Sequence, residues 1–238
     1  FILKVTLLFE LKSVVHLSDV GQDSKIRLGN LIDKFQNAGW LHFQQIRTQL
    51  PPLDSKLLYF VVSQSVRIRA TLSLGDPITI QSFITDANRH KITRLVEIRD
   101  QAEQLIASQL EDAFVVNNES GRIAKLPVDY PITSMVDSTK HLGFHRDRID
   151  IPVSKNQTRT DFRILPRDID NYGHMNNARY LDFVDETVDH LKQISINYLK
   201  PAKLGMTLDY LRTKINHSVY YTVSNGSNVM SKIWLELK

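Results

Sequence analysis

The chain has 238 residues, 42% of them hydrophobic and 24% charged, with a net charge of +4. That length suffices for one large or two small domains with their own cores, and the small, dispersed positive excess argues against nucleic-acid binding. No apolar run is long enough for a membrane span, and the absence of cysteine excludes disulfides, thiolate metal sites and a Cys nucleophile while fitting a reducing, cytoplasmic setting.

The opening F-I-L-K-V-T-L-L-F-E-L-K alternates like a strand and carries charges inside its apolar stretch, unlike a signal peptide. Since residue 1 is not Met, a few native residues are expected before it. From Leu28, apolar residues recur at three and four through Leu31, Ile32, Phe35, Phe43, Ile46 and Leu50, which predicts a long amphipathic helix ended by Pro51 and Pro52. Gly39 would let that helix pass close to a sheet. Strands follow at V-R-I-R-A, I-T-I-Q-S-F, T-R-L-V-E-I-R and L-I-A-S-Q-L-E-D-A-F-V-V.

Residues 126–158 hold prolines at 127, 131 and 152 and read as a connector between a first domain, 1–125, and a second, 159–238. His141 and His145 in it have the spacing of metal ligands on a helix, but no third ligand stands near. Beyond it, T-D-F-R-I-L predicts a strand. Residues 176–192 predict a helix with Ala178, Leu181, Val184, Val188 and Leu191 on one face and Asp182, Asp185, Glu186 and Asp189 on the other. I-S-I-N-Y-L, M-T-L-D-Y-L, V-Y-Y-T-V and K-I-W-L-E-L predict four more strands.

The two halves form an internal repeat. Asp19 falls on Asp168, Val20 on Ile169, Ile26 on Met175, Leu31 on Tyr180 and Phe35 on Val184. Further on, V-R-I-R-A-T-L-S-L-G falls on I-N-Y-L-K-P-A-K-L-G, with Gly75 on Gly205. The polar loop D-I-D-N-Y-G-H-M-N-N-A-R-Y, residues 168–180, is not repeated. Gly21 stands opposite Asp170, Lys25 opposite His174, and Arg27 and Leu28 opposite Asn176 and Asn177. The scaffold recurs and the loop chemistry does not, which marks the loop as functional. Asp170 can orient or activate a water, His174 can donate to a carbonyl or move a proton near neutral pH, and helix-start amides can hold a developing oxyanion. Gly173 permits an unusual backbone angle or a close approach by substrate. Ordinary helix capping accounts for the same residue types.

The stretch D-I-D-N-Y-G-H-M-N-N-A-R-Y-L-D-F resembles the active-site loop and helix of hotdog-fold thioesterases. With the tandem layout, the chain resembles the bacterial acyl-acyl carrier protein thioesterases. The resemblance implies an α+β fold of two tandem hotdog domains, each a curved antiparallel sheet wrapped around a long helix. The tandem pair mimics a dimer, and higher oligomers are compatible with it. It implies hydrolysis of fatty acyl-acyl carrier protein, with Asp170 and His174 catalytic and Tyr172, Gly173, Asn176 and Asn177 contacting substrate. No cofactor or metal is implied. Tyr172 replaces a family asparagine, and Pro201 and Ala202 stand where relatives carry a glutamate and a cysteine. The acyl tail is expected in an apolar tunnel in the first domain. Phe35, Trp40 and Phe43 are its candidate liners, with ordinary core residues as the alternative. Arg146, Arg148, Lys155, Arg159, Arg163 and Arg167 form either a solvated face or a dock for the acidic carrier protein. An acyl-CoA thioesterase, a non-catalytic acyl-binding hotdog and a hotdog dehydratase are the competing readings.

Overall fold

The structure, a computed structural model, describes residues 8–140, 143, 148–154 and 156–238. His141, His145, Arg146, Lys155 and the first seven residues of the predicted opening strand lie outside them. The strands are β1 (Leu8–Val14), β2 (Leu57–Ile68), β3 (Pro77–Ala87), β4 (Lys91–Arg99), β5 (Leu105–Asn117), β6 (Arg122–Ile123), β7 (Gln157–Arg163), β8 (Leu191–Tyr198), β9 (Thr207–Ile215), β10 (Ser218–Asn225) and β11 (Asn228–Leu237). They form one antiparallel sheet in the order β1-β3-β4-β5-β2-β8-β11-β10-β9-β7, with β6 on β5. Helix α1 (Leu28–Arg47) lies across it, burying Leu28, Leu31, Ile32, Phe35, Ala38, Gly39, His42 and Ile46. That three-and-four spacing is the stripe the sequence predicts.

The sheet order is a mirror, with β1 to β5 matching β7 to β11 and the two halves meeting where β2 pairs with β8. In that pairing Ser65 lies opposite Ser195. The repeat that sets Gly75 on Gly205 sets Ser65 on Ser195, so a residue faces its own counterpart across the junction. The two hydroxyls are 3.4 Å apart. Self-pairing of this kind is what a two-fold dimer interface shows, here within one chain.

The helix predicted over 176–192 does not form. A short 3-10 turn, Asn177–Leu181, is followed by irregular chain and a second 3-10 turn, Val188–His190. The segment D-F-V-D-E-T-V-D-H is rich in β-branched and aspartate residues, which are poor helix formers. It is also too short. The repeat is offset by 149 at the loop (168 − 19) and by 130 at the strand (205 − 75), so the second half has 19 fewer residues between them. That is close to the whole 20-residue length of α1. The acidic residues assigned to an outer helix face instead pin this irregular chain. Asp182 pairs with Arg179, Glu186 holds Arg212 at 2.6 Å, and Asp189 holds Lys25 at 2.6 Å.

A belt of polar side chains interrupts the core of the first half. One apolar cluster contains Ala38, Val66, Ile80, Val96 and Ala107, and a second contains Ile46, Ile84, Ile92 and Val115. Between them, at strand positions of the same parity, lie Ser82, Arg94, Gln109, Glu111 and Gln64. From α1, His42 contacts Ser82 at 2.9 Å. Arg94 pairs with Glu111 at 2.8 Å, and Gln109 Nε2 donates to Glu111 at 3.2 Å. A Cβ on Gly39 would sit 2.8 Å from Arg94 Nη1, so the predicted close approach of the helix is made here, over a guanidinium.

Burial first, and then the charge of Arg94, lower the pKa of His42 from 6.5 to about 3. The unfolded chain therefore binds a proton near pH 6.5 that the folded chain refuses until far lower pH. This contribution to stability is full above pH 6.5 and is lost as pH falls toward the folded value, on the order of a few kcal/mol in total. Urea titrations across this range are expected to show that loss, and His42→Gln is expected to flatten it.

Candidate active site

The Asp170–His174 loop and its counterpart in the first half share a backbone plan. Asp19 Oδ2 accepts from His16 N at 2.8 Å, and Asp168 Oδ2 accepts from Leu165 N at 2.8 Å. Gly21 N donates to Lys25 O, and Asp170 N donates to His174 O; Ile26 N donates to Leu72 O, and Met175 N donates to Ala202 O. Asp19 and Asp168 thus fix the corners. Gly173 has φ +76°, and its counterpart Ser24 has φ +61°, so the turn demands a left-handed residue and glycine meets that demand with less strain.

On this plan only the second loop carries an acid and an imidazole together. Asp170 Oδ1 accepts from Tyr172 N at 2.9 Å and from His174 N at 3.2 Å, and no described residue bonds its Oδ2. His174 is half-buried, its ring 5.7 Å from that of Phe60. Burial lowers its pKa, the charge of Asp170 opposes that shift, and Lys203 reinforces it. The net direction is downward from 6.5, so the imidazole is neutral at pH 7. Tyr172 is exposed and leans on Phe60 at 5.5 Å. Asn176 is a cap, its Oδ1 accepting from Ala178 N at 2.9 Å. Asn177 is half-buried, and its backbone O lies 3.1 Å from Tyr198 Oη.

One expectation needs correction. The five-residue turn after Asn176 is too short to bring the dipole of a long helix, and its Ala178 and Arg179 amides are bonded to Asn176. Of the candidate tunnel liners, Phe35 is an ordinary core residue, Trp40 is exposed, and Phe43 packs on Tyr59. Pro201 is exposed and Ala202 is buried, with its carbonyl holding the loop at Met175.

Sequence reasoning missed Phe60, which the first half lends to the site, and Gln64, whose Oε1 lies 2.8 Å from Tyr198 Oη. Both sit in L-L-Y-F-V-V-S-Q-S, and its six-residue apolar start was the available strand signal. Of the basic cluster, Arg148 pairs with Asp150, Arg159 with Asp209 and, more loosely, Arg167 with Asp168. Arg163 and Arg167 are exposed in the segment that leads into the loop.

In the degenerate half, Lys25 takes the place of His174 and is bound to Asp189. A groove of about 870 Å³ there is lined by Lys25, Arg27, Arg179, Asp182 and Asp189 among others. Among the described residues no group of His, Asp and Glu is placed to hold a metal, and no helix is long and apolar enough to cross a membrane.

A doubled sheet on one long helix, with an Asp/His loop at the junction of the halves, is a tandem hotdog architecture. Residues 152–231 match the family model of the acyl-ACP thioesterase C-terminal domain, and residues 26–137 match that of the thioesterase-like superfamily. The C-terminal part of the chain is thus similar to the acyl-ACP thioesterase family and the N-terminal part to the wider superfamily. Among solved structures, the chain is similar to an acyl-ACP thioesterase from Bacteroides thetaiotaomicron, with 14% identity, 97% of this chain and 98% of that one covered, and a TM-score of 0.81. It is also similar to a 12:0-ACP thioesterase from Umbellularia californica, with 17% identity, 98% of each chain covered and a TM-score of 0.80. At these identities the likeness is one of fold, here the expected α+β double hotdog. No curated protein matches the chain by sequence at a significant level.

Proposed function

We propose that this chain hydrolyses the thioester of fatty acyl-acyl carrier protein and releases a free fatty acid. The observation that carries the reading is the pairing of Asp170 and His174 in one loop, inside the segment that matches the acyl-ACP thioesterase domain. Asp170 Oδ2 orients a water and takes its proton as the oxygen attacks the carbonyl carbon. The neutral His174 N–H and the Asn177 side chain donate to the oxygen that becomes negative. The C–S bond then breaks, and the proton on Asp170 passes to the departing thiolate. Tyr172 and Gly173, at the exposed tip, face the incoming pantetheine arm. Asn176 serves the loop as its cap. The domain limits 1–125, 126–158 and 159–238 and a cytoplasmic location belong to the same reading.

The test is a panel of acyl-carrier-protein and acyl-CoA thioesters, followed by thiol and fatty acid release. Faster turnover on carrier protein supports the reading; faster turnover on CoA makes the chain an acyl-CoA thioesterase. Tight acyl binding without release favours a non-catalytic protein, the alternative that the vacant acid position at Pro201 supports.

The charge of Lys203 reaches His174, and Arg163 and Arg167 are exposed in the segment that leads into the loop, so an acidic carrier protein would dock on this side. Between about 0.1 M and about 1 M salt the Debye length shrinks from about 10 Å to about 3 Å. Over that range kcat/KM on carrier-protein substrates is expected to fall steeply while kcat stays nearly constant. A salt-independent kcat/KM would remove the electrostatic dock.

A further inference from the structure

The polar belt under α1 starts at the catalytic loop. Tyr198 Oη lies 3.1 Å from Asn177 O and 2.8 Å from Gln64 Oε1. Gln64 is opposite Glu111 in the β2–β5 register, and Arg94 is opposite Glu111 in the β4–β5 register. The belt therefore runs from the reacting end of the site into the first half, the direction expected for an acyl tail.

Its polar atoms are not all satisfied by the fold. Gln64 and Gln109 are 1% and 0% exposed, yet among the described residues Gln64 Nε2 and Gln109 Oε1 have no hydrogen-bond partner, nor have Arg94 Nε and Gln36 Oε1. Gln36 is one helical turn before Gly39 on α1. Each orphaned polar group costs stability, and apolar residues at these positions would avoid that cost. The arrangement becomes favourable when a polar group enters. A plain alkyl chain would lie along an ion pair and leave every orphan unmet.

We propose that this belt is the acyl subsite and that the favoured acyl chain carries a hydroxyl group. A hydroxyl both accepts and donates, matching the free N–H of Gln64 and the free carbonyl of Gln109, whereas a keto oxygen can only accept. The proposal rests on the thioesterase reading for the direction of the tail.

The experiment compares acyl-carrier-protein substrates of equal length, either plain or carrying a hydroxyl or a keto group at successive carbons. The wild-type protein is expected to favour one hydroxylated position over the plain chain by about tenfold or more in kcat/KM. Gln64→Leu and Gln109→Leu, each checked for a cooperative melt, are expected to bring that ratio toward one and to speed the plain chain. Equal or faster wild-type turnover of the plain chain at every position, or a keto preference over hydroxyl, would overturn the proposal and leave the thioesterase reading standing. If no thioester is cleaved, that reading fails by itself, and the belt is then tested by the melting temperature with free hydroxy acids. A rise in the wild-type protein that is lost in Gln109→Leu supports the subsite, and no rise overturns it.

Discussion

Asp170→Asn is expected to lower kcat by about a hundredfold to ten-thousandfold while the protein folds and binds substrate as before. The asparagine oxygen can still accept from Tyr172 N and His174 N, the two bonds that shape the loop, so geometry is kept while the charge and the base are lost. Asp170→Ala removes the acceptor as well and is expected to raise KM in addition, because the loop loses bonds worth about 1 kcal/mol each. Because the Asp170 charge holds the pKa of His174 up against burial, its removal lets that pKa fall further. The acid limb of the residual pH–rate profile is therefore expected at lower pH in Asp170→Asn. Stopped-flow thiol release across pH reads both effects. An unchanged kcat in Asp170→Asn would sink the assigned role.

Glu111→Ala is expected to destabilise the protein by about 3–5 kcal/mol. The side chains of Glu111 and Arg94 are 6% and 11% exposed, so the truncation strands a guanidinium beneath α1 against the backbone of Gly39. The partner of a broken buried pair carries most of the cost, which the double replacement Glu111→Leu with Arg94→Met isolates. That variant is expected to return to within about 1–2 kcal/mol of wild type. Urea midpoints of the two single variants and the double variant complete the cycle. A cost below about 1 kcal/mol for Glu111→Ala would mean that water or another acceptor already serves Arg94.

Much of this molecule is legible from residue order alone, where the signal is local. The period of α1, the alternating strands and the corner aspartates Asp19 and Asp168 each follow from a short run of sequence. The repeat is legible as well, because both loops require the same hydrogen bonds. The helix over 176–192 is misread for a physical reason. Ala178, Leu181, Val188 and Leu191 are all buried, so the pattern correctly reports which residues face the core. A chain that winds irregularly along a core can show the same spacing, and the poor helix formers over 182–190 and the 19-residue deficit between loop and strand distinguish the two. The belt was hidden because its members are spread over α1 and four strands. Gln64, Glu111 and Arg94 become neighbours only through strand register, which no local pattern encodes. Phe60 reaches His174 for the same non-local reason.

The short turn at Asn177–Leu181, where the first half has a full helix, bears on how such a chain can evolve. A duplicated protomer begins with two helices and two competent loops. This chain has one long helix and one aspartate–histidine loop, on opposite halves. Two copies of the first half would pair without an aspartate–histidine loop, and two copies of the second would pair without a helix to cover their strands. The losses are complementary, so the halves can no longer revert to a self-associating ancestor. The connector has become an inheritance device, guaranteeing a one-to-one supply of two parts that separate genes would have to balance by regulation.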